Sequence, residues 1–256
     1  LHPEDKESTQ SHIDLALSGE KEYNVDFRVV RPDGSIRYIH AEGSLVRDEQ
    51  GKATRLTGTN ADITTQRRSL NILNAVSHIQ NTFITSCSSQ KSFSEMIKSL
   101  LKITQSEQGF IGEMYSNEKG LFFKTLAVTS VHDCNENITS NDTLVNEHIQ
   151  ELNTKEFIKT IISSEEPLLL NNISTENLFE VSGQNASTAN CFLGLPFFNN
   201  NKLIGIIGVV KNKGEYTEAF IESLAPFLST CGTLFNAYQN NAKKIEAEKE
   251  VAKFAD

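Results

Sequence analysis

The stretch "TGTNADITTQRRSLNILNAV", residues 57–76, changes character at its middle. Up to Asp62 it reads as the end of a β-strand. After Thr64 the apolar residues Ile72, Val76, Ile79 and Phe83 recur at i, i+4, i+7 and i+11, with Leu73 beside them, which is one stripe of an amphipathic helix. Asp62, Ile63 and Thr64 form the joint, with no Gly or Pro between strand and helix. Asp62 or Thr64 can accept a hydrogen bond from the first free amides of that helix. A joint without slack couples movement of a sheet to a helix.

Working back from the joint, three strands and a helix are expected. "HPEDKESTQSHIDLALSG" opens with a proline and acidic residues, suited to the free amides and positive dipole end of a helix start, and Gly19 is a natural stop. Its apolar residues are Ile13, Leu15 and Leu17. In "YNVDFRVV", Tyr23, Val25, Phe27 and Val29 alternate with polar residues, as in a half-buried strand. Asp33-Gly34 provides a tight turn, "SIRYIHAEGSLVRD" returns, and "GKATRLTGTNAD" follows a turn at Gln50-Gly51. Together, "HPED", "FRVVRPDGSIRYIH" and "LTGTNADIT" resemble the C-terminal half of a PAS domain, its PAC region included. The resemblance covers residues 2 to about 64 and implies that Asp-Ile-Thr is where the output helix leaves the domain. It also implies that the first strands of the family's sheet are missing, so this half is expected to lean on neighbours or on a second protomer.

Beyond the joint, Ile72 to Phe83 could form a seam between two protomers or pack on the chain's own domain. "SFSEMIKSLLKITQS" restarts a helix, "EQGFIGEMYS" and "LFFKTLAVTS" read as strands, and "TKEFIKTIISSEEP" as a helix ended by Pro167. "PLLLNN" is a short strand, and "CFLGLPFF" and "LIGIIGVVKN" are strands around an asparagine-rich turn. The stretches between, Val131 to about Asn146 and "ISTENLFEVSGQNASTAN", are polar and read as loops. Gly194, Gly205 and Gly208 lie within strands and make no phosphate-cradling loop. The order predicts an α+β domain, an antiparallel sheet with flanking helices. "SEQGFIGEM", "EEPLLLNN", "FLGLPFF", "LIGIIGVVKNKGEY" and "FIESLAPFLSTCGTLFNAY" resemble a GAF domain over residues 85 to about 238. That resemblance implies a ligand pocket between the sheet and the loops of residues 131–153 and 171–190, with Phe123, Asn172 and Cys191 as candidate lining residues. Apolar strand residues more often simply pack in a core. The ligand, and with it any cofactor, stays open: neither the cysteine context of a bilin site nor an N-K-x-F-D-E-like stretch of cyclic-nucleotide binders is present.

From Tyr216 a helix is expected to run to the end of the sequence. Phe220, Leu224, Phe227, Cys231, Leu234 and Tyr238 follow heptad spacing, the first half packing on the sheet and the later half suiting a solvated or paired linker. The organisation read from the sequence is therefore residues 1–64 PAS half, 65–84 linker helix, 85–235 GAF domain and 236–256 signalling helix.

With 33 Asp+Glu against 24 Lys+Arg, the net charge of -9 argues against a nucleic-acid surface. There is no apolar run of membrane-spanning length and no leader pattern, which points to a cytoplasmic location, with an upstream membrane anchor left open. The four cysteines, Cys87, Cys134, Cys191 and Cys231, fit no metal pattern, and His132 with Cys134 falls short of a zinc set. Two glycosylation sequons, at Asn137 and Asn172, are read as chance matches. No catalytic constellation stands out. The resemblances imply a sensory and relay module of a bacterial signalling protein, homodimeric through its helices and feeding a C-terminal histidine kinase with its response regulator. A diguanylate cyclase output and a ligand-free dimerisation spacer are the alternatives.

Overall fold

The computed structural model describes residues 1–32, 34–86, 89–117, 120–130, 156–171, 191–212 and 214–253. The chain divides into two units, Leu1–Leu70 and Asn71–Asp256.

The first unit opens with a 3₁₀ turn, Pro3–Asp5, followed by α1 (Lys6–Ser18). Gly19, at φ 82°, ends α1 in the left-handed conformation that glycine adopts without a steric penalty. Arg47 finishes the cap by donating to the carbonyls of Leu17 and Ala16. Of the apolar residues of α1, Leu17 is exposed, while Ala16 is buried. Residues at i, i+2 and i+4 cannot share one face of a helix, so the alternating set Ile13, Leu15, Leu17 had to split.

Strands β1 (Tyr23–Val30), β2 (Ile36–Arg47) and β3 (Ala53–Asp62) form an antiparallel sheet in that order. Val25 is buried, and Tyr23, Phe27 and Val29 are half-buried beside exposed Asn24 and Asp26, as the alternation predicts. β3 is exposed along nearly its whole length. Helix α2 (Thr64–Thr85) follows after the single residue Ile63.

The second unit contains α3 (Ser89–Thr104), β4 (Gln108–Asn117), β5 (Gly120–Ser130), α4 (Glu156–Ser164), β6 (Leu168–Asn171), β7 (Cys191–Asn199), β8 (Lys202–Lys211), α5 (Glu218–Ser223) and α6 (Ala225–Lys253). The five strands pair antiparallel in the order β5-β4-β8-β7-β6. β7 and β8 are joined through Asn200 and Asn201, at φ 48° and 60°, the two left-handed residues of a type I′ hairpin. This antiparallel α+β arrangement is the one the element order predicts.

Side chains on the two faces of the sheet build two cores. One face packs against α2, α3 and α6 through residues such as Ile111, Leu193 and Val209. The other is covered by Phe157, Ile158 and Ile161 of α4, over Phe110, Phe123 and Phe192. The stripe on α2 joins the first core: Ile72 and Ile79 are buried, with Val76 and Phe83 at the edge. The α2 stripe thus packs on its own chain.

At the exit the expected single helix is two. Leu224 ends α5, and Pro226, which has no amide hydrogen to give, stands at the second position of α6, where none is needed. Leu224, Phe227, Cys231 and Phe235 are wholly buried, while Phe220, Leu234 and Tyr238 are only partly so. The buried face therefore steps by 3, 4 and 4, suiting a helix laid on a sheet rather than a strict heptad seam.

Candidate functional site

The strand-to-helix joint in the first unit is a dense polar junction. The Asp62 carboxylate accepts from the Thr64 amide (2.9 Å) and from the Thr64 hydroxyl. The Thr64 oxygen in turn accepts from the Tyr38 amide of β2 (2.9 Å), and the Ile63 amide donates to the Tyr38 carbonyl (2.9 Å). Thr64, 1% exposed, thus turns its hydroxyl back to the sheet, and Asp62 alone takes the capping role that either could have filled. One turn later, Arg67 of α2 donates to Asp26 of β1, whose other carboxylate oxygen pairs with His40 of β2. Hydrogen bonds from Thr64 hold the Asp62 carboxyl below its usual range, and the bond to His40, then that to Arg67, do the same for Asp26. Three strands and the first turn of α2 are therefore joined through two carboxylates, Asp26 and Asp62, whose ionised forms these bonds favour.

A second polar cluster ties β1 to the N-terminal turn. Asp5 accepts from the Arg28 backbone amide (2.7 Å) and forks with its guanidinium, which also reaches Glu4. The side-chain bonds to Arg28 lower the Asp5 carboxyl to about 2. The "HPED" motif, read as a helix start, gains its long-range meaning from this pair.

In the second unit, the α4 side of the sheet is apolar and ring-filled. Phe110 meets Phe123 edge-on (centroids 5.8 Å), and Phe157 lies against Phe192 (4.7 Å). Gly112 and Gly208 make room for these rings: a Cβ would stand 2.3 Å from Phe123 and 2.2 Å from Phe110. Among the described residues, a buried threonine interrupts this surface. Thr125 is paired with Gly112 across β4–β5 and so faces the α4 side; it is 2% exposed, and its hydroxyl has no hydrogen-bond partner among the described residues. A buried hydroxyl left unpaired is costly, and its presence calls for an explanation.

The sequence-predicted lining residues do not converge. Phe123 lies in the α4-side core, whereas Cys191 belongs to the opposite core, where its thiol donates to the Gly214 carbonyl (3.0 Å). The two lie on opposite faces because adjacent β7 residues alternate in facing, and it is Phe192 that points to the α4 side. Asn172, His132, Cys134, Cys87 and both sequons lie outside the described residues. Thr125 was missed because a threonine in "FKTLAVT" looks like any strand residue until its cross-strand partner is known. Cys191 and Cys231 are free thiols, and burial pushes the latter up to about 12. Among the described residues no group of three or more His, Cys, Asp or Glu is placed to hold a metal, and no helix is long and apolar enough to cross a membrane.

The sequence matches the PAS fold family over residues 1–60. No curated protein matches it. Among solved structures, it is similar to a sensory box histidine kinase/response regulator from Burkholderia thailandensis E264, at 24% identity and TM-score 0.29, over 30% of this chain and 60% of that one. It is similar to the GAF domain of a phosphoenolpyruvate-protein phosphotransferase from Coxiella burnetii, at 12% identity and TM-score 0.49, over 68% of this chain and 98% of that one. A phycoerythrobilin-bound GAF domain from a cyanobacterial phytochrome is matched at 8% identity and TM-score 0.46, over 68% and 99%. Residues 1–60 thus carry the PAS fold, and the GAF domain is the fold named for two of these three solved structures.

Proposed function

We propose that this chain is a sensory relay: a PAS half (residues 1–64) followed through a linker helix by a GAF domain (85–235), passing a change of state along α6 to a histidine kinase output. The observation that carries the reading is the division of labour between the two faces of one sheet. The α2 and α6 helices pack on one face, while the other, under α4, holds a buried hydroxyl awaiting a partner. A small, largely apolar molecule with one hydrogen-bonding group aimed at Thr125 would bind there, and would act by favouring one of two states of the sheet. Asp62, Ile63 and Thr64 are the junction through which the PAS sheet engages its own helix. Paired copies of the parent protein would join through the helices, and a response regulator would receive the output.

A second reading has its own observation in favour. Four phenylalanines already fill the α4 side, as they would in a ligand-free spacer. Thr125→Val separates the two, because valine keeps the shape and removes the hydroxyl. Native and denatured mass spectra of the chain purified from cells are compared for both forms. A mass excess in the wild type, lost on denaturation and diminished by Thr125→Val, supports the sensor. No excess in either form, with Thr125→Val more stable by about 1 kcal/mol through removal of an unsatisfied group, supports the spacer.

A further inference from the structure

The three strands at one side of the sheet end in a row of polar side chains. Asn171 of β6 pairs directly with Cys191 of β7, and Cys191 with Lys211 of β8. Residues directly opposite in antiparallel strands project to the same face, and these three all reach the same short turn. Cys191 donates to the Gly214 carbonyl (3.0 Å) and Lys211 to the Glu215 carbonyl (2.7 Å). Asn171 takes both backbone groups of Tyr216, donating to its carbonyl (3.2 Å) and accepting from its amide (3.3 Å). One residue from each of three strands holds one of three successive residues in the turn.

The far side of the turn is equally fixed. The Tyr216 hydroxyl meets Ser106 (2.7 Å), which meets the Thr104 hydroxyl at the end of α3. The Lys211 ammonium sits 4.0 Å from the centre of the Tyr216 ring, a cation–π contact in a buried setting. Lys211 and Tyr216 are 8% and 2% exposed, so water cannot replace these bonds cheaply. Two residues after Tyr216, α5 begins, and α6 follows.

We propose that Asn171, Cys191 and Lys211 form a latch that makes the turn at residues 214–216, and with it the start of the exit helices, move as one with strands β6 and β7. The same two strands carry Leu168, Leu170 and Phe192 on the α4 side. The latch is thus the mechanical connection from that face to α5 and α6, which pack on the other. It goes beyond the sensor reading and does not need a ligand to exist; only its use as a signal path rests on that reading.

The test is hydrogen exchange on the ligand-free chain, comparing wild type with Asn171→Ala. The latch predicts at least tenfold faster exchange at residues 214–224, with β4 and β5 unchanged. Coupling is reciprocal, so Lys211→Met, which touches only the turn side, should speed exchange at residues 168–171 several-fold. If Asn171→Ala loosens β6 and β7 but leaves residues 214–224 protected, there is no latch. Equal acceleration throughout the unit would likewise overturn it, since that is loss of global stability. Should Asn171→Ala fail to fold, Lys211→Met alone decides: no effect at residues 168–171 ends the proposal.

Discussion

The two units are held together by different physics. In the first, the strands bury only Val25 and Ala41 among their apolar side chains, and β3 is exposed almost throughout. Its order comes from ionised and capping groups: Asp5 with Arg28, Asp26 with His40 and Arg67, Asp62 with Thr64, and Arg47 on the end of α1. In the second, Phe110, Phe123, Phe192, Phe197, Phe227 and Phe235 are all wholly buried, and the polar contacts are local ties on an apolar body. Burial scales with apolar area and is indifferent to acid, whereas carboxylate networks are modest in energy and depend on ionisation. The same chain therefore offers a unit that acid loosens and a unit that only a hole in its core will break.

The largest effect should come from making that hole. Phe110 is fully buried and packs on Phe123 above Gly208. Phe110→Ala should cost the second unit about 3–5 kcal/mol in urea unfolding, the usual toll for an aromatic removed from a packed core. A cost below about 1 kcal/mol would show that α4 collapses into the space and that this face is plastic.

Acid should produce the next effect, on the first unit alone. Asp5, Asp26 and Asp62 all have folded-state carboxyls below their unfolded value of 3.8. Their contribution is complete above that value and is lost as pH falls through the folded values, down to about 2 for Asp5. Limited proteolysis with an acid-active protease between about pH 5 and about pH 2.5 should therefore cut residues 1–60 progressively earlier, while the second unit resists. Asp26→Asn should make residues 1–60 easier to cut at neutral pH and flatten the dependence. Equal resistance of the two units across that range would contradict the comparison.

The same contrast explains what could be read from the sequence. Alternation in "YNVDFRVV", the Asn-Asn hairpin and the stripe from Ile72 to Phe83 are local patterns, and each element they announce is present. The α+β class and the sheet of the second unit followed from element order. What stayed hidden depends on pairing across strands. Nothing near Cys191 in the sequence shows that Asn171 and Lys211 flank it, or that Gly112 stands opposite Thr125. A pocket wall of Phe123 and Cys191 could be imagined because facing is undefined until register is known. The Asp5–Arg28 fork spans 23 residues and a change of element, beyond the reach of any periodicity.

The smallest effect should come from the joint itself. Asp62→Ala removes the acceptor of the Thr64 amide and hydroxyl, but the Thr64 oxygen keeps the Tyr38 amide and Ile63 keeps the Tyr38 carbonyl. The first unit should lose about 1 kcal/mol, the ordinary value of a helix-terminal cap, and exchange should quicken at residues 64–67 while β2 stays protected. Thr64→Val should do more than Asp62→Ala, because it orphans the Tyr38 amide in a site that is 1% exposed, while Asp62 keeps only the amide of residue 64. If Asp62→Ala instead loosened β2 and β3 together, the carboxylate would be holding the sheet to its helix rather than merely finishing the helix. The junction would then be the weakest element of the first unit, and losing its one carboxylate would do more harm than acid does to the Asp5 and Asp26 pairs.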